Sequence, residues 1–146
     1  VRVLDAETDV TPSEVEEVAD VAHAPTDVGA SVASGSFDFD GALVCPCSMK
    51  TLGYVANGIA EGLVPRIADV CLKEDRRLVL VPRESPMART HLANACEAPN
   101  AGAVIAPASP GFYTRPEGVD ELVEVFAAKL LDGFGVKTDA MERWTG

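Results

Sequence analysis

The sequence predicts a three-layer α/β fold, a mostly parallel sheet covered by helices on both faces, and three observations carry that prediction. Three short, continuous apolar runs, GALVCP at 41–46, RRLVLVP at 76–82 and AGAVIAP at 101–107, read as strands buried on both faces. Stretches with helical spacing of apolar residues lie between and after these runs, the alternation that builds a parallel sheet. Each run also closes on a proline, Pro46, Pro82 or Pro107, followed by a loop with polar side chains.

The elements follow in order. Residues 1–9 read as the tail of a helix. Thr11-Pro12-Ser13 offers a fresh helix start, and Val15, Val18, Ala19, Val21 and Ala22 keep helical spacing through 13–24. Residues 25–40, PTDVGASVASGSFDFD, are rich in Gly, Ser, Asp and Pro and read as a loop. After the first strand, a helix over about 51–62 and a second helical stretch through RIADVCLKE lead to the second strand. Ser85 is expected to cap the next helix, with Pro86 at its first position. Beyond the third strand and the loop ASPGFYTRP, Pro116 opens a helix with Val119, Leu122, Val123, Phe126, Leu130 and Leu131 on one face. That helix ends near Gly133 and Gly135.

Composition narrows the function classes. A chain of 146 residues with 47% hydrophobic content makes one domain with a real core. No apolar run approaches the ~20 residues of a membrane span. The opening VRVLDAETD lacks the basic-then-apolar pattern of a signal peptide, so a cytoplasmic protein is expected. Asp and Glu outnumber Lys and Arg by 23 to 12, a net charge of −11 that argues against nucleic-acid binding. The same surplus of carboxylates suits a salt-adapted proteome, in which surface charge keeps proteins soluble in brine. Cys45, Cys47, Cys71 and Cys96 match no zinc or redox spacing, so free thiols are expected, with neither disulfide nor metal. His23 and His91 stand alone on helices, and no Ser-His-Asp or Cys-His arrangement can be built. Neither G-x-G-x-x-G nor a P-loop is present.

In open α/β sheets, ligands sit outside the carboxyl ends of the strands, so the three loops should converge on one edge. The first offers Ser48, Lys50 and Thr51 beside free backbone N–H groups, a place for an anion or a polar ring edge, or else plain helix capping. The second offers Arg83, able to fork onto phosphate or a carbonyl, and Glu84, able to move a proton; a structural Arg–Glu pair is the alternative. The third holds Phe112, Tyr113 and Arg115, which either serve a ligand or plug the core.

PCSMKTLGYVANGIAEGLVPRIADVCLKEDRRLVLVPRESP (46–86), GAVIAPASPGFYTRPEGVDELVEVFAAKLLDGFG (102–135) and the terminal Arg143-Trp144 together resemble the UbiX family of flavin prenyltransferases, within the wider flavin-binding cysteine-decarboxylase-like fold. The resemblance implies a Rossmann-like three-layer fold of flavoprotein type. It implies an enzyme that joins a dimethylallyl group from dimethylallyl phosphate to FMN at N5 and C6, without a metal. FMN is then the prenyl acceptor, and the product serves a UbiD-type decarboxylase. Relatives of this kind assemble into dodecamers, so a homo-oligomer is implied. Carried over by position, Ser48, Met49, Lys50, Thr51 and Arg83 match flavin contacts, and Tyr113 and Lys129 match the grip on dimethylallyl phosphate. Lys129 is Arg in some relatives. Lys73, Glu84 and Glu7 match groups around the prenyl phosphate, the catalytic candidates; Arg66 and Trp144 also sit at matching positions.

One departure stands out. The family begins with a strand, a Gly-Ala-Ser-Gly turn, a helix and a second strand bearing a flavin-contacting Ser, and none of these precedes Val1. The Gly29-Ala30-Ser31 stretch lies too far downstream to be that turn. The expectation is a single domain over 1–146 lacking some ~40 residues, about one βαβ beginning. A decarboxylase of the phosphopantothenoylcysteine type is the runner-up, but its early catalytic His and Asn-rich loop motif are not seen. Against a non-catalytic flavin-binding subunit stands the set Lys73, Glu84, Tyr113 and Lys129.

Overall fold

The structure, a computed structural model, describes residues 2–140. Two short helices, α1 (Arg2–Glu7) and α2 (Pro12–Glu17), open it, and a single 3-10 turn at Ser31–Ala33 precedes the sheet. There follow β1 (Gly41–Cys47), α3 (Met49–Ala56), α4 (Leu63–Lys73), β2 (Arg77–Pro82), α5 (Arg89–Asn100), β3 (Val104–Ile105) and α6 (Val119–Asp132). The strands form one parallel sheet in the order β1-β2-β3.

Side-chain alternation along β2 builds the three layers, because successive residues of a strand face opposite sides of the sheet. Leu78 and Leu80 face one side, packing with Leu52 and Val55 of α3, Ala68 and Cys71 of α4 and Ala98 of α5. Val79 and Val81 face the other, packing with Leu130 and Phe126 of α6 and with Phe134. Leu78, Leu80 and Val81 are essentially sealed from solvent, as expected of a strand covered on both faces.

β1 departs from the expected fully buried strand. Among its residues only Cys47 is buried, while Leu43 and Cys45 are exposed. Within the described residues β1 pairs only with β2, and its other edge is unpaired. Its register also slips at the carboxyl end: Val44 pairs with Leu80 and Cys47 with Pro82, which gives β1 one extra residue there. Pro46 falls in that interval and has no N–H to give to a ladder.

Other boundaries moved for local reasons. α2 stops at Glu17 rather than running to residue 24, and Val18 beyond it is 86% exposed. The apolar spacing continues there, but nothing among the described residues covers it. Thr11 caps α2: the Glu14 N–H donates to Thr11 Oγ1 and the Thr11 N–H donates to Glu14 Oε2 at 2.8 Å. α3 begins at Met49, two residues early, because Ser48 caps it. α5 begins at Arg89 rather than at Pro86; Ala88 is its cap residue, and the Ala88 N–H donates to His91 Nδ1. β3 pairs over two residues only. α6 starts at Val119, three residues after Pro116, and ends at Gly133 as expected, but Val119 and Val123 on its apolar face are exposed.

Two arginines tie the segment before β1 to the body. Arg66 Nε donates to Ala33 O at 3.1 Å while its Nη1 pairs with Asp69 at 2.8 Å. Arg76 donates to Phe37 O and Gly35 O, both at 2.8 Å, and lies 4.3 Å from the centre of the Phe39 ring. Arg66 thus holds backbone in place, while Arg143 and Trp144 lie outside the described residues. All four cysteines are unpaired.

Candidate functional site

A cavity of about 710 Å³ opens along β1 at the carboxyl ends of β1 and β2. That size falls within the roughly 300–1,000 Å³ of small-molecule sites. Its floor is β1 itself, Ala42 to Cys47; α4 contributes Val64 and Ile67; and the loops contribute Ser48, Met49, Thr51, Arg83 and Glu84. One wall is therefore apolar and one rim polar, an arrangement suited to a flat apolar ligand with polar edges.

The polar rim is built by the two loops that follow β1 and β2. Ser48 accepts from the Thr51 N–H at 3.2 Å, and its hydroxyl lies 3.1 Å from that of Thr51. Ser48 is thus a helix cap, and the same contact fixes both hydroxyls at the amino end of α3, where backbone N–H groups favour negative charge. Lys50, between them, turns away: it does not line the cavity and lies 5.8 Å from the centre of the Tyr54 ring. Arg83 is exposed at the rim, and its guanidinium pairs with no described residue. The alternative of a structural Arg83–Glu84 pair is not what the structure holds, since Glu84 Oε1 instead accepts from the Ser85 N–H at 3.1 Å.

The remaining expected residues lie elsewhere in the chain's own fold. Lys73 ends α4 and pairs with Glu74 at 3.1 Å, before the amino end of β2. A six-residue strand is on the order of 17–20 Å long, so Lys73 and Arg83 stand at opposite ends of the sheet. Lys129 is exposed in the last turn of α6, the end whose Phe134 lies 5.8 Å from the Arg77 guanidinium at the start of β2. Tyr113 is 86% exposed on the loop after β3, so it plugs no core. Glu7 is exposed at the end of α1. None of these four lines the cavity. Five expected residues, Ser48, Met49, Thr51, Arg83 and Glu84, do meet there.

Sequence reading missed the apolar wall. Leu43 and Val44 belong to a run read as a buried strand, yet they line the cavity together with Val64 and Ile67 of α4. The wall also carries two thiols. Burial pushes Cys47 up from 9.0 to about 11, and the partial desolvation of Cys45 against the strand raises it too although the residue is exposed, so both remain protonated at neutral pH. Neither is a ready nucleophile.

Known proteins match this chain closely. The Flavoprotein family model matches residues 5–104. A probable UbiX-like flavin prenyltransferase from a Streptomyces species is 48% identical over 143 residues, 98% of this chain and 72% of that protein. The flavin prenyltransferase UbiX of Methanothermobacter thermautotrophicus is 43% identical over 145 residues, 99% of this chain and 76% of that protein. Among solved structures, AnUbiX in complex with FMN and dimethylallyl pyrophosphate superposes with a TM-score of 0.96 at 46% identity, over 99% of this chain and 77% of that one. A dodecameric FMN-dependent UbiX-like decarboxylase from Escherichia coli gives 0.94 at 45% identity, over 99% of this chain and 78% of that one. With a fold and a sequence that agree with these relatives over almost its whole length, the chain belongs to the UbiX-like flavin prenyltransferases.

Proposed function

We propose that the protein joins a dimethylallyl group from dimethylallyl phosphate to FMN at N5 and C6, and that the cavity beside β1 is its flavin site. The observation that carries the site is the convergence of Ser48, Met49, Thr51, Arg83 and Glu84 on one cavity with an apolar wall. These residues fit a flavin: Leu43, Val44, Val64 and Ile67 suit a planar ring, and the paired hydroxyls and Arg83 suit its polar edge. Ser48, Met49, Thr51 and Arg83 would hold it. When bound in its reduced form, the flavin would supply the nucleophile for the prenyl carbon, with phosphate as the leaving group.

The protein's own groups then have separate tasks. Arg83 offers a permanently charged fork at the rim, and because it has no partner among the described residues it is free to take a ligand oxygen. Glu84 keeps one carboxylate oxygen on the Ser85 N–H, which fixes the group, and has the other for holding or moving a proton. Cys45 and Cys47, held as thiols, offer no nucleophile to compete for the prenyl carbon.

Tyr113, Lys129, Lys73 and Glu7 belong, in this reading, to the prenyl-phosphate end of sites completed by neighbouring copies. Supporting it are their exposure, their separation from the cavity within one chain, and the dodecameric state of the Escherichia coli relative. The product is passed to a UbiD-type decarboxylase in the cytoplasm. No helix among the described residues is long and apolar enough to cross a membrane. The test is direct: incubate the protein anaerobically with chemically reduced FMN and dimethylallyl phosphate and read the flavin by mass. A prenylated flavin supports the assignment, and unmodified flavin with a correctly folded protein overturns it.

A further inference from the structure

The loop that carries Arg83 and Glu84 runs directly into α5, and the junction is closed by a histidine. The Ala88 N–H donates to His91 Nδ1 at 3.2 Å. Ala88 is the cap residue of α5 and His91 its third helical residue. Ala88 has no side-chain oxygen to cap with, so the reciprocal half of a capping box, usually made by Glu or Gln at that position, is made here by an imidazole. Accepting through Nδ1 requires that nitrogen to be unprotonated, which places the ring proton on Nε2.

We propose that His91 is a proton-sensitive positioning residue that holds the 83–88 loop, and with it Arg83 and Glu84, at the rim of the cavity only while its ring is neutral. Protonation turns the acceptor into a second donor facing the Ala88 N–H, and it places a positive charge in the first turn of a helix, where charge of that sign is disfavoured. Histidine is the side chain that changes charge between about pH 5 and 8. The elements packed on α5 are α3, β3 and β2, and β2 brings Arg77 at its amino end. α3 brings the titratable groups Lys50 and Tyr54, and β3 brings none. The loop itself brings Arg83 and Glu84, and α5 adds Arg89, Cys96 and Glu97.

The inference rests on the assignment of Arg83 and Glu84 to the flavin site, and its test separates the two. His91→Gln retains a neutral acceptor that cannot be protonated in this range, and His91→Ala removes the acceptor at every pH. Without flavin, amide exchange of residues 84–92, corrected for its intrinsic pH dependence, should quicken about fivefold in the parent from pH 7.5 to 5.5, the size expected for loss of a helix cap. His91→Gln should stay protected throughout, and His91→Ala should exchange fast at both. FMN affinity should follow the same order, with the flavin phosphate's own titration common to all three proteins. Parent and His91→Gln proteins with the same exchange ratio between the two pH values would overturn the proposal, whatever the flavin result. Exchange that follows the prediction in a protein that binds no FMN would leave the cap in place and remove the flavin site instead.

Discussion

Arg83→Met is the most informative single change, because the structure predicts a large loss of flavin binding with almost no loss of fold. Met keeps much of the apolar stem and removes the guanidinium. That group is exposed and pairs with no described residue, so its removal leaves no orphaned buried charge. Surface changes of this kind usually stay within about 0.5 kcal/mol in stability. A hydrogen bond to a charged group contributes about 1.5–3 kcal/mol, which at 1.4 kcal/mol per factor of ten is a loss of roughly 10- to 150-fold in FMN affinity. Arg83→Lys keeps the charge but not the planar fork and should fall between parent and Met. Flavin fluorescence titration measures the affinity, and thermal melting checks the fold. Parent-like affinity in Arg83→Met would refute the placement of flavin at this rim, and a melting point several degrees lower would refute the claim that Arg83 has no structural work.

Further outcomes follow from other parts of the molecule. Tyr113→Phe and Lys129→Ala should leave FMN binding intact and slow prenylation about a hundred- to a thousandfold, as loss of one donor to a developing charge does; parent rates in both would return the third loop and α6 to the surface. Cys47 should make the fold alkali-sensitive. Its thiol keeps its proton up to about 11, whereas in the unfolded chain it ionises from about 9, so stability present below pH 9 is lost as pH rises towards 11. Melting temperatures across that range should fall less in Cys47→Ala than in the parent, and identical slopes would contradict the burial argument. Finally, a net charge of −11 on a small domain predicts a melting temperature that rises from low to molar KCl, and a flat profile would remove the salt-adapted reading.

The positions of the strands were legible because continuous apolar runs ending in proline leave few alternatives. The convergence of Ser48, Thr51, Arg83 and Glu84 was legible for a related reason: loops that follow parallel strands share one edge of the sheet. Periodicity could not report what covers a face. Val15, Val18 and Val21 keep helical spacing, as Val119 and Val123 do on α6, yet all are exposed. The placement of Lys73 came from resemblance, whereas topology would have put it at the far end, since it lies four residues before the start of β2. The start of α5 was misjudged because the proline signal at Ser85-Pro86 outweighed a cap made by a histidine, a partner that capping rules do not look for.

The central claim is that flavin occupies the cavity beside β1, between the Ser48–Thr51 turn and Arg83. A crystal structure of the protein soaked with FMN and dimethylallyl phosphate tests it most directly. The account predicts flavin density against Leu43, Val44, Val64 and Ile67, with Arg83 turned onto a flavin oxygen and the Ser48–Thr51 hydroxyls within hydrogen-bond reach. Flavin density at the amino ends of the strands, near Lys73 and Arg77, with the β1 cavity holding only solvent, would contradict it.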